Sequence, residues 1–300
     1  MMDWATLADA AGRRLVAGVD RAAGRYWPAA DLVPGFSGDM VDWITALSLP
    51  GEPGLAPRGA GRPLAEMRLC APVDRPRRNI FCVGKNYLAH VTEFAGSGYD
   101  SSAHRGEAAP PAPIFFTKAT GTVIGPGEEI PLHPQVTTQV DYEAELAVII
   151  GRGGRGISRA RALEHVFGYT IVNDVSARDL QKRHSQWFLG KSLDGFCPMG
   201  PVIVRPENPD PSAWTIRCHV NGALRQQASI GQMIFDVPTL IEVLSAGMTL
   251  QPGDVIATGT PAGVGLGLKP PAFLAPGDRV VIEIDGIGVL ENPVGRPDED

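Results

Sequence analysis

Glu143 and Glu145 stand one residue apart in Val140-Asp141-Tyr142-Glu143-Ala144-Glu145-Leu146-Ala147-Val148-Ile149-Ile150-Gly151. The stretch reads as a β-strand, alternating at first, then running apolar until a glycine ends it. Side chains two apart share a strand face, so Asp141, Glu143 and Glu145 point one way and Tyr142, Ala144 and Leu146 the other. Carboxylates stacked on one face repel, and this strand leads straight into a buried segment. A positive partner belongs there, and a hard divalent cation with oxygen ligands is the natural one. Taken alone, E-x-E reads as the acidic outer face of an edge strand. The rest of the chain decides between the two.

His90 and Glu93 are the second pair. Asn86 to Phe94 reads as a short helix, and residues three apart on a helix share a face. A carboxylate beside an imidazole fixes its tautomer and raises its basicity, which suits a general base acting on water. Asp174 follows a strand-like run from Phe167 and is placed to meet the Glu143/Glu145 face if the strands are neighbours. Lys191 lies among Trp187, Phe188 and Phe196, and a lysine in such surroundings needs a carboxylate or an anionic ligand beside it. Arg178 and Asp179 read as a structural ion pair supporting the Asp174 turn. Asp254 and Asp278 read as turn residues rather than ligands.

The elements that must hold these residues point to an α+β, β-rich chain. At 300 residues it suits one large domain, or a main domain with a small one. Its 36 glycines and 27 prolines fit many turns. Arg13 to Asp20 is strand-like, Ser37 to Leu49 reads as a helix capped by Ser37 or Asp39, and a Gly/Pro-rich stretch then runs from Pro50 to Arg62. The expected division is a small N-terminal domain over 1–70 and a catalytic domain over 71–300. Asn79–Gly84 and Pro113–Lys118 read as strands, Ser158–Val166 as a helix capped by Ser158, and the segment 96–113 between as a lid or a surface loop.

A net charge of −6 argues against a nucleic-acid or anionic-membrane surface, and no apolar run approaches a membrane span. Cys70, Cys82, Cys197 and Cys218 form no C-x-x-C pair, and no signal-like segment opens the sequence. Reduced thiols and a cytoplasmic location are the expectation.

Five motifs occur in order: Gly84-Lys85-Asn86-Tyr87-x-x-His90-x-x-Glu93, Asp141-Tyr142-Glu143-x-Glu145-Leu146, Asn173-Asp174-Val175-Ser176-Ala177-Arg178-Asp179, Gly190-Lys191-Ser192, and Thr258-Gly259-Thr260-Pro261-x-Gly263-Val264-Gly265. Over about residues 72 to 295 the chain resembles the fumarylacetoacetate hydrolase superfamily. The resemblance implies a mixed β-sheet roll in which Glu143, Glu145 and Asp174 hold Mg²⁺ or Mn²⁺. It implies a His90/Glu93 dyad on a lid helix, Lys191 beside the metal, Thr260 on the substrate carboxylate, and a homodimer. Fumarylacetoacetases proper carry a further aspartate ligand shortly before the histidine. Val83 and Gly84 stand there instead, which favours the shorter bacterial members.

The chemistry expected is hydrolysis of a C–C bond in an acylpyruvate-type 2,4-dioxo acid. His90 would draw a proton from water, and the metal and Lys191 would stabilise the departing pyruvate enolate. The same stabilisation serves an oxaloacetate-type decarboxylase, or an isomerase acting on 2-hydroxyhepta-2,4-diene-1,7-dioate, where no water attacks. A non-catalytic binding protein is the remaining class, and its sign would be a missing ligand or dyad member. Lys85, Tyr87, Arg105, Lys118 and Gln186 are the candidates for a distal carboxylate.

Overall fold

A computed structural model describes residues 2–48, 55, 59–99 and 109–295. The N-terminal strands are β1 (Asp3–Ala8), β2 (Arg14–Asp20) and β3 (Arg25–Pro28), followed by helix α1 (Met40–Leu47). Next come β4 (Ile80–Gly84), α2 (Leu88–Gly96), β5 (Ile114–Lys118), β6 (Val140–Asp141), β7 (Ala144–Ile150) and β8 (Val166–Asn173). The chain continues through β9 (Ser176–Ala177), α3 (Arg178–Arg183), α4 (Phe188–Lys191), β10 (Cys197–Val204), β11 (Thr215–Val220) and β12 (Ala223–Ser229). It closes with α5 (Val237–Ser245), β13 (Val255–Ala257), β14 (Arg279–Ile284) and β15 (Gly288–Pro293).

A twelve-stranded mixed sheet is the frame, running β3-β2-β1-β10-β8-β7-β13-β4-β5 with short strands at its margins. A four-stranded sheet, β12-β11-β14-β15, packs on one side of it. β7 lies near the middle and is buried on both faces, which explains its unbroken apolar run. Leu146, Val148 and Ile150 face the core shared with Ile216, Ile282 and Ile284 of the smaller sheet. Ala147 and Ile149 face the other way, toward Trp4, Trp43 and Ile44. Strand period alone divides one segment between two cores.

The N-terminal segment shares the second of those cores. β1 pairs antiparallel with β10 at Trp4↔Ile203. Trp4, Met40 and Trp43 pack in one cluster with Ile80, Phe167 and Val255. The described strands of residues 1–70 therefore extend the main sheet and share its second core. The local spacing of apolar residues reads alike whether its partners are near or far in sequence.

Asp39 caps α1, accepting from Val41 N (2.9 Å) and Asp42 N (3.2 Å) while Asp42 returns a bond to the Asp39 N–H. Of the two caps the sequence offered, Asp39 is the one used. Arg77 also donates to this carboxylate. Burial raises the Asp39 pKa, but the Arg77 and backbone hydrogen bonds outweigh it and hold the group below its ordinary value. Asp39→Ala is expected to cost about 1 kcal/mol in urea unfolding. Because the folded pKa is the depressed one, the ionic part of the loss is full near neutrality and fades as pH falls through the folded value. A variant matching wild type at neutral pH would disprove the cap's contribution.

Residues Arg159–His165 form a 3₁₀ helix rather than the α-helix expected, and Ser158 makes no capping bond through its side chain. Residues 100–108 of the segment 96–113, expected as a lid or loop, lie outside the described residues, and Arg105 is among them. No described helix is long and apolar enough to cross a membrane.

Candidate active site and metal centre

The acidic segment is not one strand. β6 ends at Asp141, β7 begins at Ala144, and Tyr142-Glu143 between them belong to neither. Polar side chains take up the freed N–H groups: Tyr142 N bonds Asp141 Oδ1 (2.9 Å), Glu143 N bonds Asn173 Oδ1 (3.0 Å) and Ala144 N bonds Gln226 Oε1 (3.0 Å). Asp174 N donates to Glu143 O at 2.9 Å, which draws the end of β8 against the break. The break separates Asp141 from the two glutamates. One oxygen from each of Glu143, Glu145 and Asp174 falls within 4.8 Å of the others, with all three residues buried. Asp141 instead accepts from Gly265 N, Leu266 N and Arg178 Nε, tying the glycine-rich loop to α3.

Buried cations surround this group. Lys191 Nζ lies 2.7 Å from both Glu143 Oε2 and Asp174 Oδ2, Lys118 Nζ lies 2.6 Å from Asp174 Oδ1, and Arg178 Nη1 lies 2.7 Å from Glu143 Oε1. Burial alone would raise the Glu143 carboxyl, but the Lys191, Arg178 and His90 charges hold it at about 2. Burial would also strip the proton from Lys191, yet Asp174 and Glu143 raise its pKa above the ordinary lysine value. Lys191 is therefore a fixed cation and not a base.

Glu145 differs. Its Oε2 accepts from Gly259 N (2.9 Å), and it has no ion pair among the described residues. Burial pushes its pKa well up, and the Asp174 and Glu143 charges add to the rise. Of the four buried carboxylates (Asp141, Glu143, Glu145, Asp174), Glu145 alone has no ion pair with Lys118, Arg178 or Lys191. Three convergent hard oxygens fit a divalent ion such as Mg²⁺ or Mn²⁺. The same oxygens fit zinc less well, since no imidazole or thiolate joins them.

The dyad stands at the edge of this cluster. Asn86 holds the start of α2 through bonds to Thr258 O (2.7 Å), Phe235 O (3.0 Å) and Phe235 N (2.8 Å). One turn into the helix, His90 Nδ1 lies 3.1 Å from Glu93 Oε2. The other Glu93 oxygen accepts from Gly263 N at 2.9 Å, so the glycine-rich loop aims the carboxylate. A Cβ on Gly267 would overlap that carboxylate. Gly267→Ala is accordingly expected to lower kcat by about 10²-fold with the fold intact, through displacement of the dyad. An unchanged kcat in a variant with wild-type circular dichroism would show that Glu93 does not need this position.

His90, Glu143, Glu145, Lys191 and Thr260 line one pocket, with Val83, Gly84, Lys85, Phe94, Phe116, Arg178, Gln181 and Trp187. Other sequence candidates lie elsewhere. Lys118 is wholly buried behind Asp174, where it also donates to Val175 O (3.0 Å), so it neutralises a ligand and does not meet a distal carboxylate. Gln186 is exposed and off the pocket wall. Tyr87 is buried beside Met233 and does not line the pocket either. Arg178 and Asp179 do not pair with each other: Arg178 holds Asp141 and Glu143, while Asp179 accepts from Thr137 Oγ1 (2.5 Å). Asp254 pairs with Arg78 and Asp278 accepts from Asn221, both far from the cluster in role.

Sequence reasoning missed Gln181 and Gln226. Gln181 sits one turn after Arg178 and accepts from its Nη1 (3.1 Å), a helical i,i+3 spacing that was legible in Arg178-Asp179-Leu180-Gln181.

Comparison with known proteins follows this geometry. The family described as fumarylacetoacetate (FAA) hydrolase C-terminal matches residues 79–295. Over 233 residues, 77% of this chain and 74% of the relative, the sequence is 53% identical to oxaloacetate tautomerase YisK of Bacillus subtilis (strain 168). The fold superposes on fumarylacetoacetate hydrolase (EaFAH) from psychrophilic Exiguobacterium antarcticum with a TM-score of 0.82 and 43% identity, over 99% of this chain and 100% of that one. On 2-hydroxyhepta-2,4-diene-1,7-dioate isomerase from Mycobacterium marinum the TM-score is 0.76 at 35% identity, covering 100% of each chain.

Proposed function

We propose that this chain, which belongs to the fumarylacetoacetate (FAA) hydrolase C-terminal family, is an enzyme that interconverts the keto and enol forms of a small oxaloacetate-type 2-oxo acid. The observation that carries the reading is the base inventory of the pocket. His90 is the one imidazole among its described lining residues, and Glu93 holds its Nδ1. The carboxylate can only accept, so in the neutral imidazole the hydrogen sits on Nδ1 and Nε2 carries the lone pair. Lys191, fixed as a cation, cannot serve as a second base.

One base suffices for tautomerisation. The C3–H bond breaks, its proton passes to His90 Nε2, and the electron pair becomes the C2–C3 double bond. His90 Nε2 then gives that proton to the oxygen on C2 to complete the enol, so the imidazole is restored and no water or oxidant is consumed. Lys191 opposes the negative charge that gathers on that oxygen. A divalent ion on Glu143, Glu145 and Asp174 supplies Lewis-acid stabilisation there when bound. Thr260, also on the pocket wall, orients the carboxylate. C–C hydrolysis asks more of the same residues, since a water must be activated and a carbon leaving group protonated as well. The 53% identity to a protein named oxaloacetate tautomerase, and the fold shared with a named isomerase, support the choice.

The test follows decay of the oxaloacetate enol absorbance in wild type, in wild type with chelator, and after Mg²⁺ or Mn²⁺ is restored. Metal-restored acceleration with oxaloacetate as the sole species by NMR is the expected result. Pyruvate released from an acylpyruvate would replace this reading with the hydrolase, and CO₂ released from oxaloacetate would replace it with the decarboxylase.

A further inference from the structure

We infer that Gln226 is a positioning residue that sets the polarity of the Thr260 hydroxyl and, with the same amide, fixes the backbone between the two metal-binding glutamates. The inference rests on the 2-oxo acid reading above, because that acid's carboxylate is the group the hydroxyl meets. Gln226 projects from β12 of the smaller sheet and is 1% exposed. Its Oε1 accepts from Ala144 N at 3.0 Å, and its Nε2 lies 2.7 Å from both Thr260 Oγ1 and Pro261 O.

Chemistry leaves this amide one orientation. The Ala144 N–H can only donate and the Pro261 carbonyl can only accept, so oxygen faces Ala144 and nitrogen faces the loop. Both Nε2 hydrogens are then in use. An amide nitrogen does not accept, so Thr260 Oγ1 is the acceptor in their bond and its own hydrogen points elsewhere. Among the described residues no protein oxygen takes that hydrogen, while Thr260 is 3% exposed and lines the pocket. Thr260 is thereby made a donor toward the ligand, selecting a carboxylate or carbonyl oxygen over a donor group of the same size.

The other end of the amide acts on the cluster. Ala144 N belongs to the residue that separates Glu143 from Glu145, at the start of the strand just after the break. Gly259 N on Glu145 Oε2 is a parallel tie from the same loop. Substrate-side hydroxyl and ligand-side backbone therefore share one side chain, and a shift in either is felt by the other.

The experiment is a double-mutant cycle on Gln226→Met and Thr260→Val, read as the calorimetric Kd for oxalate, a stable mimic of the carboxylate and C2-oxygen end of the enol, with Mg²⁺ saturating for each variant. Thr260→Val is expected to raise the oxalate Kd about 10- to 100-fold, the weight of one hydrogen bond to a charged group. Gln226→Met should raise it several-fold alone and leave it unchanged when Thr260 is already valine. In turnover of oxaloacetate, Gln226→Met should raise KM while kcat stays within about threefold. Additive effects on Kd, or equal losses in kcat and KM, would mean a structural role only and would overturn the inference. Should Gln226→Met not fold, Thr260→Val decides alone: an unchanged Kd overturns the inference and a raised one supports the donor it requires. Coupled oxalate binding without oxaloacetate turnover would retain the inference and reject the tautomerase reading. Failure of wild type to bind oxalate would overturn both.

Discussion

Replacing His90 by alanine lowers enol–keto interconversion by about 10²–10⁴-fold, the usual span for loss of a positioned general base. The effect is large because His90 is the one imidazole among the described lining residues. Lys191 is held as a cation between Glu143 and Asp174, and Glu145, though its pKa is raised, turns one oxygen to Gly259 N and stands in the acidic cluster. Glu93→Gln should fall less, since the amide oxygen still accepts from Nδ1 but no longer offsets charge on the ring. The two changes should also combine poorly, because Glu93 acts only through His90. His90 is nearly buried and rests 6.0 Å from the Phe94 ring, so the alanine variant needs an unfolding midpoint beside its rate. Partial rescue by added imidazole would place the defect in proton transfer. A loss under about tenfold, in a variant that folds like wild type, would mean that some other group moves the proton.

What the sequence made legible is what lies close together in it. The i,i+2 glutamates, the i,i+3 dyad and the run into Ile150 are periodicities of single elements, and the structure brings His90, Glu143, Glu145, Asp174 and Lys191 around one pocket. The break at Tyr142-Glu143 was not legible, because its cause lies in Asn173 and Gln226, thirty and eighty-two residues away. Strand alternation put Asp141 on the same face as the glutamates. The break sends it instead to Arg178 and the glycine-rich loop. Gln181 escapes the sequence reading, which names Gln186, for a similar reason: without the phase of α3, nothing shows which glutamine faces inward. The N-terminal strands read as self-contained since β1, β2 and β3 pair in order. Their link to β10 spans about two hundred residues and leaves no local trace.

Lys118 shows the largest consequence of such a distant partner. It closes β5 and reads as a loop-facing cation, yet it is wholly buried 2.6 Å from Asp174 Oδ1. Lys118→Met is expected to cost about 3–5 kcal/mol in unfolding free energy, because breaking a buried pair leaves its partner charged and unneutralised. That is a large part of the 5–15 kcal/mol typical of a whole domain. Removing Lys118 makes the buried set one unit more negative, with Asp174 keeping only Lys191 on its other oxygen. A divalent ion on Glu143, Glu145 and Asp174 binds the folded state and opposes that charge. Saturating Mg²⁺ should therefore recover more stability in Lys118→Met than in wild type. Lys191→Met makes the contrast, since Lys191 faces the pocket and its loss should appear in turnover even where metal restores the fold. Urea unfolding of the three proteins with chelator and with Mg²⁺ separates these effects. A loss below about 1 kcal/mol in Lys118→Met, or equal Mg²⁺ stabilisation of variant and wild type, would show that Asp174 is not held by this lysine and that the cluster does not carry the charge assigned to it.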